Sequence, residues 1–218
     1  MPRQCGCAAG PVLDMEHTVH CAEKLTRHNM IQDRLVTFAR LHGVTTRQNP
    51  RFAMQDQRTR VEPDIVFYPV PHAPLQTDVT VINPCAPSRL QRSTQAHQWA
   101  SKEQKSRKNR RYLANAKKQG QRFEPLVFET HGKMGDEVKD LLDTLAARTP
   151  THKGLAVRDM QLDLAITLAR GNALMAKTTV ARAQRARDIA RARHPVGSGE
   201  PRSGGRSSSS SSRAPDNN

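Results

Sequence analysis

Three of the four cysteines lie within the first 21 residues, beside two histidines. Cys5 and Cys7 form a Cys-x-Cys pair that is followed by His17 and Cys21, with His20 as an alternative to His17. Thiolates and imidazoles are ligands that Zn²⁺ prefers, and four of them close a tetrahedral structural site. The spacing therefore predicts a structural zinc site, with chance clustering as the alternative.

Two short acidic segments suggest a second kind of metal site. Asp64 follows Pro63 and precedes an apolar run, and Asp78 opens the segment Asp78-Val79-Thr80-Val81. If the two segments are neighbouring strands, their carboxylates meet at one edge of the sheet and could bind Mg²⁺ or Mn²⁺ together with water and phosphate oxygens. This chemistry suits hydrolysis of a phosphodiester, although Asp is also common in turns and caps beside strands.

A long basic segment follows the second acidic segment, and in it Lys102, Lys105 and Lys108 repeat every three residues. A lysine near the metal could orient the attacking hydroxide or neutralise charge on phosphorus. Other basic residues here could bind backbone phosphates, which would make binding depend on salt, although a charge run is often only a solvated helix face. These residues are Lys102, Arg107, Arg110, Arg111, Lys117 and Lys118.

The overall charge favours a polyanionic partner. The 218 residues include 35 Lys and Arg but only 20 Asp and Glu, a formal net charge of +15. No run of about 18 apolar residues is present, and the first residues lack the apolar core of a signal peptide. We therefore expect a soluble intracellular protein that does not bind a membrane.

The chemistry-bearing residues must be positioned by a few elements. Apolar spacing predicts a first helix over about 22–42, and the β-rich segments VEPDIVFYPV and TDVTVINP predict two neighbouring strands. The polar, basic stretch 88–119 predicts one long helix or two, and PLVFET predicts another strand. This order of elements predicts a mixed α/β fold.

The last third of the chain is helical by prediction. Apolar spacing predicts a helix over 136–147, ended by Pro150. Residues 158–193 alternate as a strand would at their start, but their Ala and Arg content and length favour a helix. Only 36% of the whole chain is apolar, and the end is rich in Ser, Gly, Pro and Arg, so residues 195–218 are expected to be a disordered tail.

The chain also carries a series of short motifs whose order is more specific than any one of them. They are the Cys-x-Cys pair with its His and Cys, Arg27-His28-Asn29, Pro63-Asp64, Asp78-Val79-Thr80-Val81, Lys108-x-x-Arg111-Tyr112, Phe123-x-Pro125-Leu126-Val127-x-Glu129-x-x-Gly132 and Arg170-Gly171-Asn172-Ala173. Over roughly residues 5–175, this series resembles the restriction-like endonuclease domain of site-specific non-LTR retrotransposon reverse transcriptase proteins.

The resemblance implies an α/β (α+β) fold of the PD-(D/E)xK restriction-endonuclease type, a small mixed β-sheet flanked by helices. It places an N-terminal zinc knuckle of the CCHC type and the first helix in residues 1–43. The restriction-like endonuclease core then spans 44–150, and a helical C-terminal extension spans 151–194. No residues remain for a reverse transcriptase, so we expect an endonuclease domain separated from it.

The resemblance also assigns roles to single residues. It implies that Asp64 and Asp78 hold the catalytic Mg²⁺ or Mn²⁺. It further implies that the catalytic lysine lies on the helix after the second strand, with Lys108 as first choice and Lys105 as second. Glu129 would help to order the site.

The function expected from this resemblance is metal-dependent nicking of DNA, with an RNA–DNA hybrid as an alternative substrate. Basic runs such as KSRKNRR predict a nuclear location, although the same residues would serve DNA binding equally well. Arg27 and His28, in the motif before the first strand, would contact nucleic acid. Two alternatives stay open at this point. One is a zinc-dependent nucleic-acid-binding module without catalysis, and the other is a decayed retroelement fragment.

Overall fold

The structure is a computed structural model, and its described residues form five helices and six strands. It describes residues 24–50, 52–53, 60–69, 71–96, 98–148 and 152–193. The elements in chain order are α1 (Lys24–Leu41), β1 (Thr45–Gln48), β2 (Phe52–Ala53), β3 (Arg60–Val61), β4 (Ile65–Tyr68), β5 (Leu75–Ile82), α2 (Pro87–Gln95), α3 (Trp99–Lys118), β6 (Arg122–Glu129), α4 (Asp136–Ala146) and α5 (Lys153–Arg193).

Four strands form one mixed sheet in the order β1-β4-β5-β6. β4 pairs antiparallel with both β1 and β5, whereas β5 and β6 are parallel. A parallel pair needs a crossover connection, and α2 and α3 supply it between β5 and β6. The predicted mixed α/β fold with a small mixed sheet is therefore confirmed.

One face of the sheet carries the main hydrophobic core. Val79 of β5 and Phe128 of β6 pack there against apolar residues of α1, α4 and α5, such as Leu35, Leu142 and Leu164. Burial of such side chains contributes about 1.5–3 kcal/mol each. The first half of α5 therefore packs in the same core as the sheet and α1.

The opposite face of the sheet is covered by α3. Ile82 and Val127 pack against Ala100 near the start of that helix. Near its end, the ring of Tyr112 packs on that of Phe123, with 5.1 Å between centroids. Because successive residues of a strand alternate between faces, residues two or four positions from Ile82 also face α3, and Asp78 is one of them.

The helices agree with the predicted ones, and the structure decides two open points. The stretch 88–119 forms two helices, and Gln98, the residue before α3, has a left-handed backbone with φ 62°. The residues of 158–193, which alternate at their start, belong to one helix of 41 residues. Among the described residues, no helix is long and apolar enough to cross a membrane.

Three short strands were missed by the sequence analysis. β1 reads TTRQ and is mostly exposed, so it lacks the alternating apolar residues that signal a half-buried strand. β2 and β3 have two residues each and pair only with one another. A strand as polar as β1, or as short as β2 and β3, leaves no pattern in the sequence.

Candidate active site

Asp64 directly precedes β4, and Asp78 lies on its antiparallel neighbour β5. Ile65 is paired with Thr77, so continuing the register by one residue places Asp64 level with Asp78. Side chains directly opposite one another on such strands have Cβ atoms about 5 Å apart. The two segments that the sequence predicted as neighbouring strands are neighbours, and their carboxylates belong to one site.

Asp64 is held in place by several hydrogen bonds. Its Oδ2 accepts a hydrogen bond from the backbone N–H of Val79 at 2.6 Å, and its own N–H donates to the carbonyl of Thr77 at 2.9 Å. The carbonyl of Asp64 accepts from the side-chain amide of Gln32 at 2.6 Å and from the N–H of Asn49 at 2.8 Å. One lone pair of Oδ2 is thus used within the protein, and Oδ1 is turned to His28.

His28 contributes to the site from α1. Its Nε2 lies 3.4 Å from Oδ1 of Asp64. Burial alone would lower the pKa of His28, but the hydrogen bond to Asp64 and the charges of Asp64 and Asp78 outweigh burial and raise the pKa. The imidazole therefore tends to carry a positive charge beside the two carboxylates.

Lys108 reaches the same site from α3. Its ammonium donates to both carboxylate oxygens of Asp78, and the distance from Nζ to Oδ2 is 2.6 Å. Nζ also lies 5.7 Å from the centre of the Tyr112 ring. A charge-assisted hydrogen bond of this kind positions the lysine more firmly than an exposed ion pair does.

The carboxyl of Asp78 is the most buried group of the site. Its side chain is 6% exposed, against 18% for that of Lys108. Burial raises the pKa of Asp78, the Lys108 ammonium opposes that rise, and the nearby Asp64 adds to it. Burial is the main cause of the raised pKa and repulsion from Asp64 is a smaller one, so a positive charge beside Asp78 favours its ionised form.

The donor set fits a hard divalent cation. Two carboxylates from adjacent strands are what Mg²⁺ or Mn²⁺ takes from a protein when water and phosphate supply the remaining oxygens. Lys108 lies at Asp78 and His28 lies at Asp64, so positive charge is already favourable beside both carboxylates. In the described part of the chain, no group of three or more His, Cys, Asp and Glu side chains is arranged to hold a metal.

Lys105, the second candidate for the catalytic lysine, is directed elsewhere. Its ammonium donates a hydrogen bond to Glu137 of α4. Burial would lower the pKa of Lys105, but that hydrogen bond and the charges of Glu137 and Glu124 raise it. Of the two lysines, only Lys108 lies at the two aspartates.

Glu129 is not brought to the two aspartates. It is paired in register with Ile82, four residues beyond Asp78 along β5, which is roughly 13 Å along the strand. Its Oε1 accepts a hydrogen bond from the hydroxyl of Ser101 at 2.7 Å, and the residue is 9% exposed. Glu129 therefore joins β6 to α3 rather than ordering the aspartates directly.

Arg27 lies inside the protein, although the sequence analysis expected a surface contact with nucleic acid. The residue is 2% exposed, and its Nη1 donates to Oδ1 of Asn172 at 2.6 Å. Burial lowers its pKa to about 10. A guanidinium in this position holds α1 to α5 and cannot reach a phosphate from the folded state.

The basic residues predicted to bind phosphates lie on one exposed helix. α3 exposes them from its first turn to its last, and Arg111 also stacks 5.2 Å from the centre of the Tyr112 ring. The same helix presents Lys108 to Asp78, so this basic face and the lysine that contacts the aspartate lie on one helix. The exposed residues are Lys102, Arg107, Arg110, Arg111, Lys117 and Lys118.

Some residues of the site were not found from the sequence. Gln32 and Asn49 fix the backbone of Asp64, and Asn172 bridges Arg27 and the carbonyl of Thr130, which its amide reaches at 2.8 Å. The sequence does contain one sign of the role of Gln32, because it is a polar residue next to the apolar Ile31 on the side of α1 that is buried. The predicted zinc ligands Cys5, Cys7, His17 and Cys21 lie outside the described residues.

Comparisons with known proteins add no relative. No protein-family model matches the chain, and no curated protein matches its sequence. The chemistry of the site must therefore be argued from its own geometry.

Proposed function

We propose that this protein is a metal-dependent endonuclease that nicks DNA by hydrolysing a phosphodiester. The observation that carries the proposal is the contact of Lys108 with the buried carboxylate of Asp78, directly beside Asp64. The sequence predicted each of these three residues for the same chemistry. Their convergence from two strands and a helix supports that prediction.

Asp64 and Asp78 would hold Mg²⁺ or Mn²⁺. The cation would supply Lewis-acid activation of a phosphoryl oxygen and make a water molecule more acidic. Asp64 is suited to this task because its backbone and Oδ2 are already fixed by Thr77 and Val79. A ligand fixed in advance loses little freedom when it binds.

Lys108 would neutralise the negative charge that develops on the phosphoryl group. Its ammonium is held at Asp78 by charge-assisted hydrogen bonds, so it is oriented before substrate arrives. His28 would keep Oδ1 of Asp64 oriented through its contact at 3.4 Å. The exposed basic residues of α3 would bind the DNA backbone next to these groups.

Plasmid nicking tests the proposal. Wild-type protein with a verified zinc content is incubated with supercoiled DNA in Mg²⁺ and in Mn²⁺ at low salt, beside Asp78→Asn and Glu103→Gln. Glu103 is a matched control, because it is an exposed carboxylate on α3 whose nearest cation, Arg89, lies 3.9 Å away. We expect nicking by wild type and Glu103→Gln and at least a 100-fold slower rate for Asp78→Asn.

The same experiment separates the proposal from its main competitor. The alternative is a nucleic-acid-binding module without catalysis, which the exposed basic face of α3 favours on its own. If wild type retards DNA but leaves plasmid intact with both metals, the endonuclease proposal is wrong and the binding module becomes the better account. If Glu103→Gln loses activity as fully as Asp78→Asn does, the assignment of Asp78 fails.

A further inference from the structure

The last turns of α5 extend beyond the protein core. Ala183 is the last buried residue of the helix, and none of the ten residues from Gln184 to Arg193 is buried. These ten residues contain four arginines and one aspartate, a net charge of +3. We call residues 184–193 the α5 arm.

The arginines of the α5 arm are available to a ligand. In the part of the chain that the structure describes, none of them forms an ion pair with a carboxylate, and the only acid of the arm, Asp188, accepts a hydrogen bond from Gln184 at 3.2 Å. An arginine without a protein partner can form a bidentate contact with phosphate. The four residues are Arg185, Arg187, Arg191 and Arg193.

The distribution of side chains around the arm fits a groove. At about 100° per residue, Ala186 and Ala190 share one side of the helix, Arg187 and Arg191 lie to one flank of it, and Arg185 lies to the other. Arg193, at the end of the arm, lies on the same side as the alanines. The major groove of B-DNA is about 12 Å wide and admits an α-helix, with a phosphate backbone on each side. Small residues towards the floor and arginines on both flanks match that shape.

The length of α5 determines how far the arm extends from the part of α5 that contacts α1. Asn172 of α5 accepts a hydrogen bond from Arg27, the residue before His28, so α5 contacts α1 one residue away from a member of the site. From Asn172 to Arg193 the helix rises roughly 30 Å, which corresponds to about nine base pairs of B-DNA. The end of the α5 arm can therefore lie nearly one turn of duplex away from the position of Asn172.

We propose that the α5 arm is a second DNA contact, which binds the backbone phosphates of duplex DNA about one helical turn from the site of cleavage. This inference rests on the proposed function, which makes DNA the ligand, and it adds that the DNA bound by the arm is double-stranded. The major groove of an RNA duplex is too narrow and deep to admit the helix. A membrane surface is disfavoured because Ile189 is the only large apolar residue of the arm.

The test compares two charge-matched variants of the full chain. Arg187→Gln/Arg191→Gln removes two charges from the arm, and Arg40→Gln/Arg158→Gln removes two exposed charges elsewhere. Glutamine keeps good helix propensity, and circular dichroism checks that both variants are folded. Affinity for a 30-base-pair duplex is measured by fluorescence anisotropy across a range of salt concentrations, and plasmid nicking is measured in parallel.

We expect the arm variant to lower the slope of log affinity against log salt by about two units, since each lost phosphate contact lowers it by about 0.9. The control variant should keep the wild-type slope. The proposal is wrong if the arm variant keeps the wild-type salt slope, or if the control variant loses as much of the slope as the arm variant does. It is also wrong if the arm variant loses more affinity for single-stranded RNA than for the duplex. If the wild type never nicks but the slope falls as expected, the endonuclease proposal fails while the arm stands.

Discussion

The ammonium of Lys108 and the carboxylate of Asp78, 30 residues apart in sequence, are joined by hydrogen bonds to both carboxylate oxygens. The pair links α3 to β5 at the most buried acid of the candidate active site. Burial raises the pKa of Asp78, and Lys108 is the main group that opposes the rise. The lysine therefore favours the ionised carboxylate that a metal would need.

The first prediction concerns the choice between two lysines. Lys108→Met should slow plasmid nicking about 100-fold or more, because a positioned positive charge near the phosphoryl group is lost. It should also cost about 1–3 kcal/mol of unfolding free energy, because a buried carboxyl loses its partner.

Lys105→Met is the matched control for this prediction. It removes the same charge one turn away, but its ammonium bonds to Glu137 and not to Asp78. It should retain nicking within about threefold of wild type, a margin that we set as the measurement threshold. Lower activity for Lys105→Met than for Lys108→Met would reverse the assignment.

The second prediction separates a buried arginine from a surface one. Arg27→Ala should lower the unfolding free energy by roughly 2 kcal/mol or more, because Asn172 loses its donor and the buried stem leaves a cavity. The salt dependence of DNA binding should not change at temperatures where the variant is folded. Arg110→Gln should do the opposite, lowering the salt slope by about 0.9 with little change in stability. Urea unfolding and anisotropy titrations measure the two effects.

The third prediction tests the close packing of α1 on α5. A Cβ at Gly171 would lie 2.7 Å from Cγ and 3.1 Å from Cα of Arg27, which is too close for either helix to remain in place. Gly171→Ala should therefore destabilise the protein by about 1–3 kcal/mol. Gly154→Ala on the same helix meets nothing within 4 Å and should stabilise it by up to about 1 kcal/mol. A stabilised Gly171→Ala protein in urea unfolding would contradict this packing.

The fourth prediction is a pH dependence of stability. Burial raises the pKa of Glu124 above its ordinary value of 4.5, the charge of Lys105 opposes the rise, and that of Glu137 adds to it. The folded state therefore binds the proton of the Glu124 carboxyl more tightly than the unfolded state does. The stabilisation that this difference gives to the folded state is complete below pH 4.5 and is lost as pH rises through the folded-state pKa. Glu124→Gln cannot ionise, so it should be more stable than wild type at pH 7, by about 0.5 kcal/mol.

Urea unfolding between pH 4 and pH 8 measures this difference, with Glu103→Gln as the exposed control. The gap between Glu124→Gln and wild type should widen with rising pH, whereas the control should follow wild type. A gap that narrows as pH rises would show that the attraction of Lys105 outweighs burial.

Much of the candidate site was predictable, because its residues lie on elements with strong local patterns. β5 alternates, α3 is a long run without Gly or Pro, and each carries one member of the Asp78–Lys108 pair. The choice between Lys105 and Lys108 was not predictable with confidence from spacing alone. Residues three positions apart on a helix point only about 60° from one another, and it is Glu137 on α4 that draws Lys105 away.

The role of Arg27 could not be read from the sequence for a different reason. In a chain of net charge +15, the resemblance assigned Arg27 to a surface that contacts nucleic acid. Its burial depends on Gly171, which leaves room for its stem, and on Asn172, 145 residues away. Such a long-range contact between two helices leaves no local pattern.

The mixed sheet leaves little free backbone at its edges. β1 has four residues and carries Arg47, and beyond β6 the chain turns back so that Met134 pairs with Phe128 and the N–H of Gly135 donates to the carbonyl of Val127 at 2.8 Å. Unpaired, long edge strands recruit strands from other chains and promote aggregation. In the described part of the chain, the edges of this sheet therefore offer little unpaired backbone to a strand from another molecule.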